Sequence, residues 1–240
     1  MIVAKRYLLI WVLCLLGGGW LCTSLSSCGK ATTGSPQLLN IRYHVINLSP
    51  DLLPVDLFID FRQVNTNPYI YGVDQGYFYI PSTDTPYQIR SAHNTGFTLL
   101  HSDRVLQPGA IYTLYLTGTL ADGSVDTLTT VDTAASPPAG RGGLRFVNVS
   151  PTALGGLDVY ANGTKAFSSM VYKQVSGYIS LPAGNYDIQI DATGTSTILS
   201  ELNPVTIQNG KLYTLYSYGY TSRADSAGFA SQVTANPLKK

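Results

Sequence analysis

Phe146-Val147-Asn148-Val149-Ser150-Pro151, then Gly177-Tyr178 ahead of Pro182, then Gly210 ahead of Tyr213-Thr214-Leu215-Tyr216 and Gly219, are the landmarks of one stretch, Leu144 to Gly219. The same landmarks stand earlier, in Tyr43 to Gly118, as Asn47-Leu48-Ser49-Pro50, Gly76-Tyr77 ahead of Pro81, and Gly109 ahead of Tyr112-Thr113-Leu114-Tyr115 and Gly118. The displacement is constant, 148 − 47 = 101 residues. Solenoid repeats are far shorter and bury their faces only against neighbours, so each copy here is expected to be a complete domain with its own core.

Alternating apolar and polar residues bounded by Gly, Pro, Asn and Asp predict strands throughout. In the first copy they fall at 39–47, 55–60, 69–80, 87–92, 97–106 and 110–118, with a further one at 124–131 after an Asp122-Gly123 hairpin turn. In the second they fall at 144–149, 157–161, 171–181, 186–192, 197–202 and 211–218, with 229–234 added. No window shows capped helical spacing. The expected fold class is therefore all-β, two tandem β-sandwiches of immunoglobulin-like or transthyretin-like outline. Asn162-Gly163 suits a two-residue hairpin whose central positions both need positive φ. Asp60-Phe61 stands there in the first copy, and a longer or different turn is expected.

Composition supports this reading. Hydrophobic residues make up 45% of the chain and charged residues only 12%, about half the usual share, so hydroxyl, amide and tyrosine side chains must cover the surface. The 17 Tyr, 23 Gly and 13 Pro are the profile of short strands and tight turns. A net charge of +1 with no basic cluster beyond residue 30 excludes the electrostatic footprint of a nucleic-acid binder.

The first thirty residues read as an address. Lys5 and Arg6 precede an apolar run from Tyr7 to Leu25, interrupted by three glycines. An uncleaved transmembrane anchor is the competing reading. Leu25-Ser26-Ser27-Cys28 resembles the lipobox of bacterial lipoproteins, which implies cleavage before Cys28 and acylation of that cysteine. The expected organisation is a lipoprotein signal peptide at 1–27, a flexible tether at 28–38, a first sandwich at 39–134, a linker at 135–142 and a second sandwich at 143–240. Of the 3 Cys, Cys14 and Cys22 lie in the removed segment, so a disulfide within the mature chain is not expected. The membrane would then be a partner through the lipid anchor. The tether lacks the acidic residues that surface-exported lipoproteins of the Bacteroidetes type carry, which favours the periplasmic leaflet of the outer membrane.

Phe146 to Pro151, Leu157-Asp158-Val159-Tyr160-Ala161-Asn162-Gly163-Thr164, Leu181-Pro182-Ala183-Gly184 and Gly210 to Thr214 together resemble the domain-of-unknown-function family 4397, DUF4397. The second copy resembles it end to end, the first more loosely. The resemblance implies a β-sandwich module of bacterial envelope proteins and supplies no catalytic residues.

Candidate sites are few. Asn47, Ser49, Pro50 and Asp56, with their doubles Asn148, Ser150, Pro151 and Asp158, form a repeat signature with structural duties. Asp56 and Asp158 sit in apolar strands and are expected to accept local donors rather than hold a ligand or metal. His44 aligns with Arg145 and is expected to face solvent. His44, His93 and His101 show no zinc spacing, and there is no Gly-x-Ser-x-Gly elbow, so no metal, cofactor or catalytic residue is predicted. Gly140-Arg141-Gly142-Gly143 reads as linker. Asn47, Asn148 and Asn162 match the N-glycosylation triplet but read as turn residues. Asp126-Thr127-Leu128, Asp132-Thr133-Ala134 and Asp225-Ser226-Ala227 are similar to bacterial O-glycosylation acceptors and are expected in exposed linker and tail. Tyr69, Tyr71, Tyr77 and Tyr79, and Tyr216, Tyr218 and Tyr220, recur at period two and are a candidate binding surface for a glycan or an envelope protein, or simply surface cover. The expected function is a lipid-anchored, non-catalytic binding or scaffolding element of the cell envelope. A glycan-binding or adhesion lipoprotein and an accessory hydrolase are the alternatives.

Overall fold

A computed structural model describes residues 39–238, and the predicted signal peptide, Cys28 and tether lie outside them. Those residues form sixteen strands and no helix. The first module contains β1 (Arg42–Asn47), β2 (Val55–Ile59), β3 (Arg62–Gln63), β4 (Phe78–Tyr79), β5 (Tyr87–Ser91), β6 (Thr98–Ser102), β7 (Ile111–Thr117) and β8 (Asp126–Val131). The second contains β9 (Arg141–Asn148), β10 (Leu157–Ala161), β11 (Thr164–Met170), β12 (Ile179–Pro182), β13 (Gly184–Ala192), β14 (Ile198–Ile207), β15 (Leu212–Tyr218) and β16 (Ala230–Asn236).

The duplication is complete at the level of topology. Sheets of order β4-β1-β7-β8 and β3-β2-β5-β6 make the first sandwich, and β12-β9-β15-β16 and β11-β10-β13-β14 make the second, each label raised by eight. In each module one parallel pairing, β1 with β7 and β9 with β15, sits among antiparallel ones. Alternation sends Tyr43, Val45, Leu57, Ile89, Leu114 and Leu116 into the first core, and Leu144, Phe146, Val159, Ile190 and Leu215 into the second.

Several local expectations change. The stretch 69–80 is no continuous strand, because Gly72 and Gly76 take φ of 70° and 76° and Asp74 accepts the Gly76 N–H, turning the chain so that only β4 remains. Its double, 171–181, is broken in the same way at Lys173 (φ 63°), leaving β12. Gly142 and Gly143 are buried inside β9 rather than in a linker, since a Cβ on either would meet the Ile207 or Leu212 side chain within 2.6 Å. Asp122-Gly123 is not a two-residue hairpin turn, because only Gly123 has positive φ and the loop from β7 to β8 is wider.

Asn162 and Gly163, at φ 49° and 72°, make the predicted hairpin between β10 and β11. Asp60 and Phe61 make the same two-residue turn, at φ 48° and 61°, with Ile59 opposite Arg62. The turn is conserved in geometry although its glycine is missing, and Phe61 is 62% exposed there. A left-handed conformation costs a residue with a Cβ about 1–2 kcal/mol. Phe61→Gly should therefore raise stability by about 1 kcal/mol after the loss of the Arg90 contact, read as a higher urea midpoint at unchanged slope.

Candidate functional site

Strands β1, β7, β9 and β15 are buried on both faces. Residues that alternate away from each module's own core form a third core between the modules, in which Ile46, Leu48 and Tyr115 meet Val147, Val149 and Tyr216. The members of each pair stand 101 residues apart, so the same patch of each copy is used against the other, as in a two-fold dimer tied into one chain. Tyr115 and Tyr216 lie with ring centroids 5.7 Å apart. Tyr71 meets Tyr218 edge-on at 6.0 Å, and its double Tyr172 donates to Thr117 Oγ1 at 3.2 Å, Thr117 being the double of Tyr218.

A closed polar ring lies beside this apolar patch. Arg145 of β9, 3% exposed, pairs through Nη2 with Asp132, which is wholly buried at the end of β8. Its Nε donates to Thr214 Oγ1 at 2.8 Å, and Nη1 to the Val131 carbonyl at 3.1 Å. Thr214 donates to Asn236 Oδ1, Asn236 Nδ2 donates to Tyr77 Oη, and Tyr77 donates to Asp132 Oδ2, each at 2.8 Å. Thr113 and Thr130 add two more donors to Asp132, at 2.5 and 2.7 Å. Burial and then the charge of Asp132 push the Tyr77 hydroxyl far up, so it stays protonated and donates. Burial would lower Arg145, but the Asp132 charge, the Tyr178 and Tyr115 hydroxyls and the hydrogen bond to Asp132 together outweigh it and hold the guanidinium charged. Asp132, Arg145, Thr214 and Asn236 are buried and Tyr77 is half-buried, so the ring joins polar groups largely withdrawn from water and favours one arrangement of the two modules.

His44 and Arg145 both face this interface and not solvent, contrary to expectation, because the outward face of the sheet is covered by the other module. Arg145 lies over the Tyr178 ring at 5.1 Å, and His44 against the doubled ring, Tyr77, at 4.7 Å. His44 Nε2 stands 2.7 Å from Asp74 Oδ1 but off the ring N–H direction, so the geometry falls short of a hydrogen bond. Burial raises the Asp74 carboxyl, yet the His44 contact and the Gly76 N–H together hold it below the ordinary value.

The tyrosine rows divide. Tyr216 and Tyr218 are buried in the intermodule core and Tyr69 in the first core, so they present no platform. Tyr71, Tyr77 and Tyr220 are half-buried, and only Tyr79 among the seven is open, at 59%. Period two placed Tyr216 and Tyr218 on one face correctly, but that face is covered.

The asparagines and aspartates of the repeat signature hold local hydrogen bonds. Asn47 and Asn148 are buried and accept the N–H of Ser49 and Ser150, while their amides donate to the Leu52 and Met170 carbonyls respectively. Asp158 accepts Lys165 Nζ and the Ser169 N–H at 2.8 Å and Thr193 Oγ1 at 3.1 Å. Asp56 accepts Asn65 Nδ2 at 2.7 Å. Asp126-Thr127-Leu128 lies in β8 and Asp132-Thr133-Ala134 follows it with Asp132 in the buried ring, so neither is exposed linker; Ser226 is in an exposed loop. Among the described residues no group of three His, Cys, Asp or Glu converges.

The family model described as a domain of unknown function, DUF4397, matches twice, over residues 42–155 and 153–239. The chain belongs to the DUF4397 family. The two DUF4397 matches meet just past β9, whereas the folded modules divide before it, between β8 and β9. Among solved structures, the C-terminal domain of AlgF from P. aeruginosa is similar over 40% of this chain and 99% of its own, at 18% identity and a TM-score of 0.30. No curated protein matches the chain.

Proposed function

We propose that this DUF4397 protein is a lipid-anchored component of a bacterial cell envelope whose two modules act as one rigid, non-catalytic binding or scaffolding element. The observation that carries the reading is the closed ring of hydrogen bonds through Asp132, Arg145, Thr214, Asn236 and Tyr77, which ties the modules into a single body. Its polar groups are consumed by one another, His101 is exposed on β6, and Asp56 is bound to Asn65, so the groups a hydrolase would need do not converge. The anchor rests on the lipobox-like Leu25-Ser26-Ser27-Cys28, and the outer membrane, periplasmic leaflet, is the proposed address. The glycan-binding alternative is weakened, since Tyr69, Tyr216 and Tyr218 are buried and only Tyr79 of the seven is open.

Two measurements on the full chain test this reading. Cys28→Ala should move the protein from the detergent phase to the aqueous phase, and continued partition into detergent would sink the anchor. Amide relaxation should give one correlation time for residues of both modules, and two independent times would sink the rigid body.

A further inference from the structure

The duplication supplies an internal control for each core position, because strand register matches the modules residue by residue. Facing inward, the second module has Leu144, Ile188, Leu202 and Val233, all packed on its core. At the matching positions the first module has Tyr43, Tyr87, Ser102 and Thr129. Four apolar side chains have thus become four hydroxyl-bearing ones on one side of the sandwich.

These same four residues line a cavity of about 50 Å³ whose apolar floor is Leu57, Ile89, Leu100 and Leu114. In the second module the corresponding edge is closed, where Ser200 of the longer β14 meets Ser231 of β16, Oγ to Oγ at 2.6 Å. In the first, β6 ends at Ser102 and the gap toward β8 stays open. Its rim carries His101 and Arg104, and the second module has Glu201 at the position of His101. Arg104 enters no ion pair among the described residues, and no carboxylate lines the opening. The Tyr112 ring, 5.8 Å away, supports the guanidinium from behind.

We propose that this opening binds a small organic carboxylate bearing a short apolar chain. Arg104 offers the planar fork that matches a carboxylate, the Ser102, Tyr43 and Thr129 hydroxyls offer further hydrogen bonds, and the leucine floor receives the chain. A volume of 50 Å³ admits about three to five water-sized positions, which limits the buried chain to about three or four carbons. The site is independent of the anchor and of the rigid body, so its failure would leave the proposed scaffold role standing.

Isothermal titration of sodium butyrate into the full chain tests this, with butan-1-ol as the uncharged counterpart. Saturable butyrate binding is expected, at least tenfold weaker in Arg104→Gln, and at least tenfold weaker for butan-1-ol. Ser102→Leu, which restores the residue of the second module, should abolish binding while keeping or raising the melting temperature. Absence of saturable binding, or butyrate binding that Arg104→Gln and Ser102→Leu leave unchanged, overturns the proposal.

Discussion

Asp132→Ala should lower the stability of the protein by about 3–5 kcal/mol, the loss expected when one member of a buried ion pair is removed and the other stays behind. Arg145 is nearly inaccessible to water, so its charge would lie in the intermodule contact with only Thr214, Thr130, the Val131 carbonyl and the Tyr178 ring to face it. Tyr77, Thr113 and Thr130 would lose their acceptor at the same time. Urea denaturation reads the effect. The exposed pair Arg223–Asp225 is the control, and Asp225→Ala should leave the midpoint unchanged. If the loss comes from an uncompensated charge, then Asp132→Leu combined with Arg145→Met should recover most of it, because a packed apolar pair removes both desolvation costs. A loss below about 1 kcal/mol for Asp132→Ala would place the pair among ordinary surface contacts and remove the argument for a rigid body.

The same interface explains what the sequence disclosed and what it concealed. Duplication was legible because turns require particular residues: Gly109 and Gly210 have positive φ, and Asn47 and Asn148 cap matching loops, so selection at those points leaves an aligned trace. Strand faces were legible too, since Tyr43 and Val45 alternate with His44 and Ile46. What alternation cannot say is whether the second face meets water or another domain. One signal was present: Ile111-Tyr112-Thr113-Leu114-Tyr115-Leu116-Thr117 and Leu212 to Tyr218 carry no charge on either face, the pattern of strands buried on both sides. Tyrosine masks that signal, because it is equally at home on an uncharged surface. Asp132 and Arg145 were hidden for a different reason. Their pairing joins the end of one module to the first strand of the next, and each taken alone reads as an ordinary polar residue beside a linker. The cavity in the first module was likewise invisible, since Tyr43, Tyr87, Ser102 and Thr129 come together only through strand register.

Gly219→Ala should be the second severe change, costing about 3 kcal/mol or more. Two separate effects act there. The backbone is left-handed at φ 76°, which alone costs a residue with a Cβ about 1–2 kcal/mol. In addition, that Cβ would stand 2.1 Å from the Gly228 carbonyl oxygen and 2.9 Å from that of Ala227, and these are backbone atoms with no rotamer to escape into. Relief requires moving the return of the loop that feeds β16, the strand whose Gln232 and Asn236 reach across to Gly72 and Tyr77 of the first module. Ser150 ties the opposite side of the turn by donating to the Gly219 carbonyl at 2.6 Å, so the repeated Asn-x-Ser-Pro motif and the repeated glycine secure one corner. Gly118, at φ 78° with its Cβ position 2.1 Å from the Ser124 carbonyl oxygen, is the same corner in the first module and should respond alike. Gly210→Ala separates the two effects: φ is 71° but no atom lies within 4 Å of the added Cβ, so about 1–2 kcal/mol is expected from conformation alone. Equal losses for Gly210→Ala and Gly219→Ala, measured by urea denaturation, would show that the carbonyl contact yields readily and that the corner does not hold β16 in place.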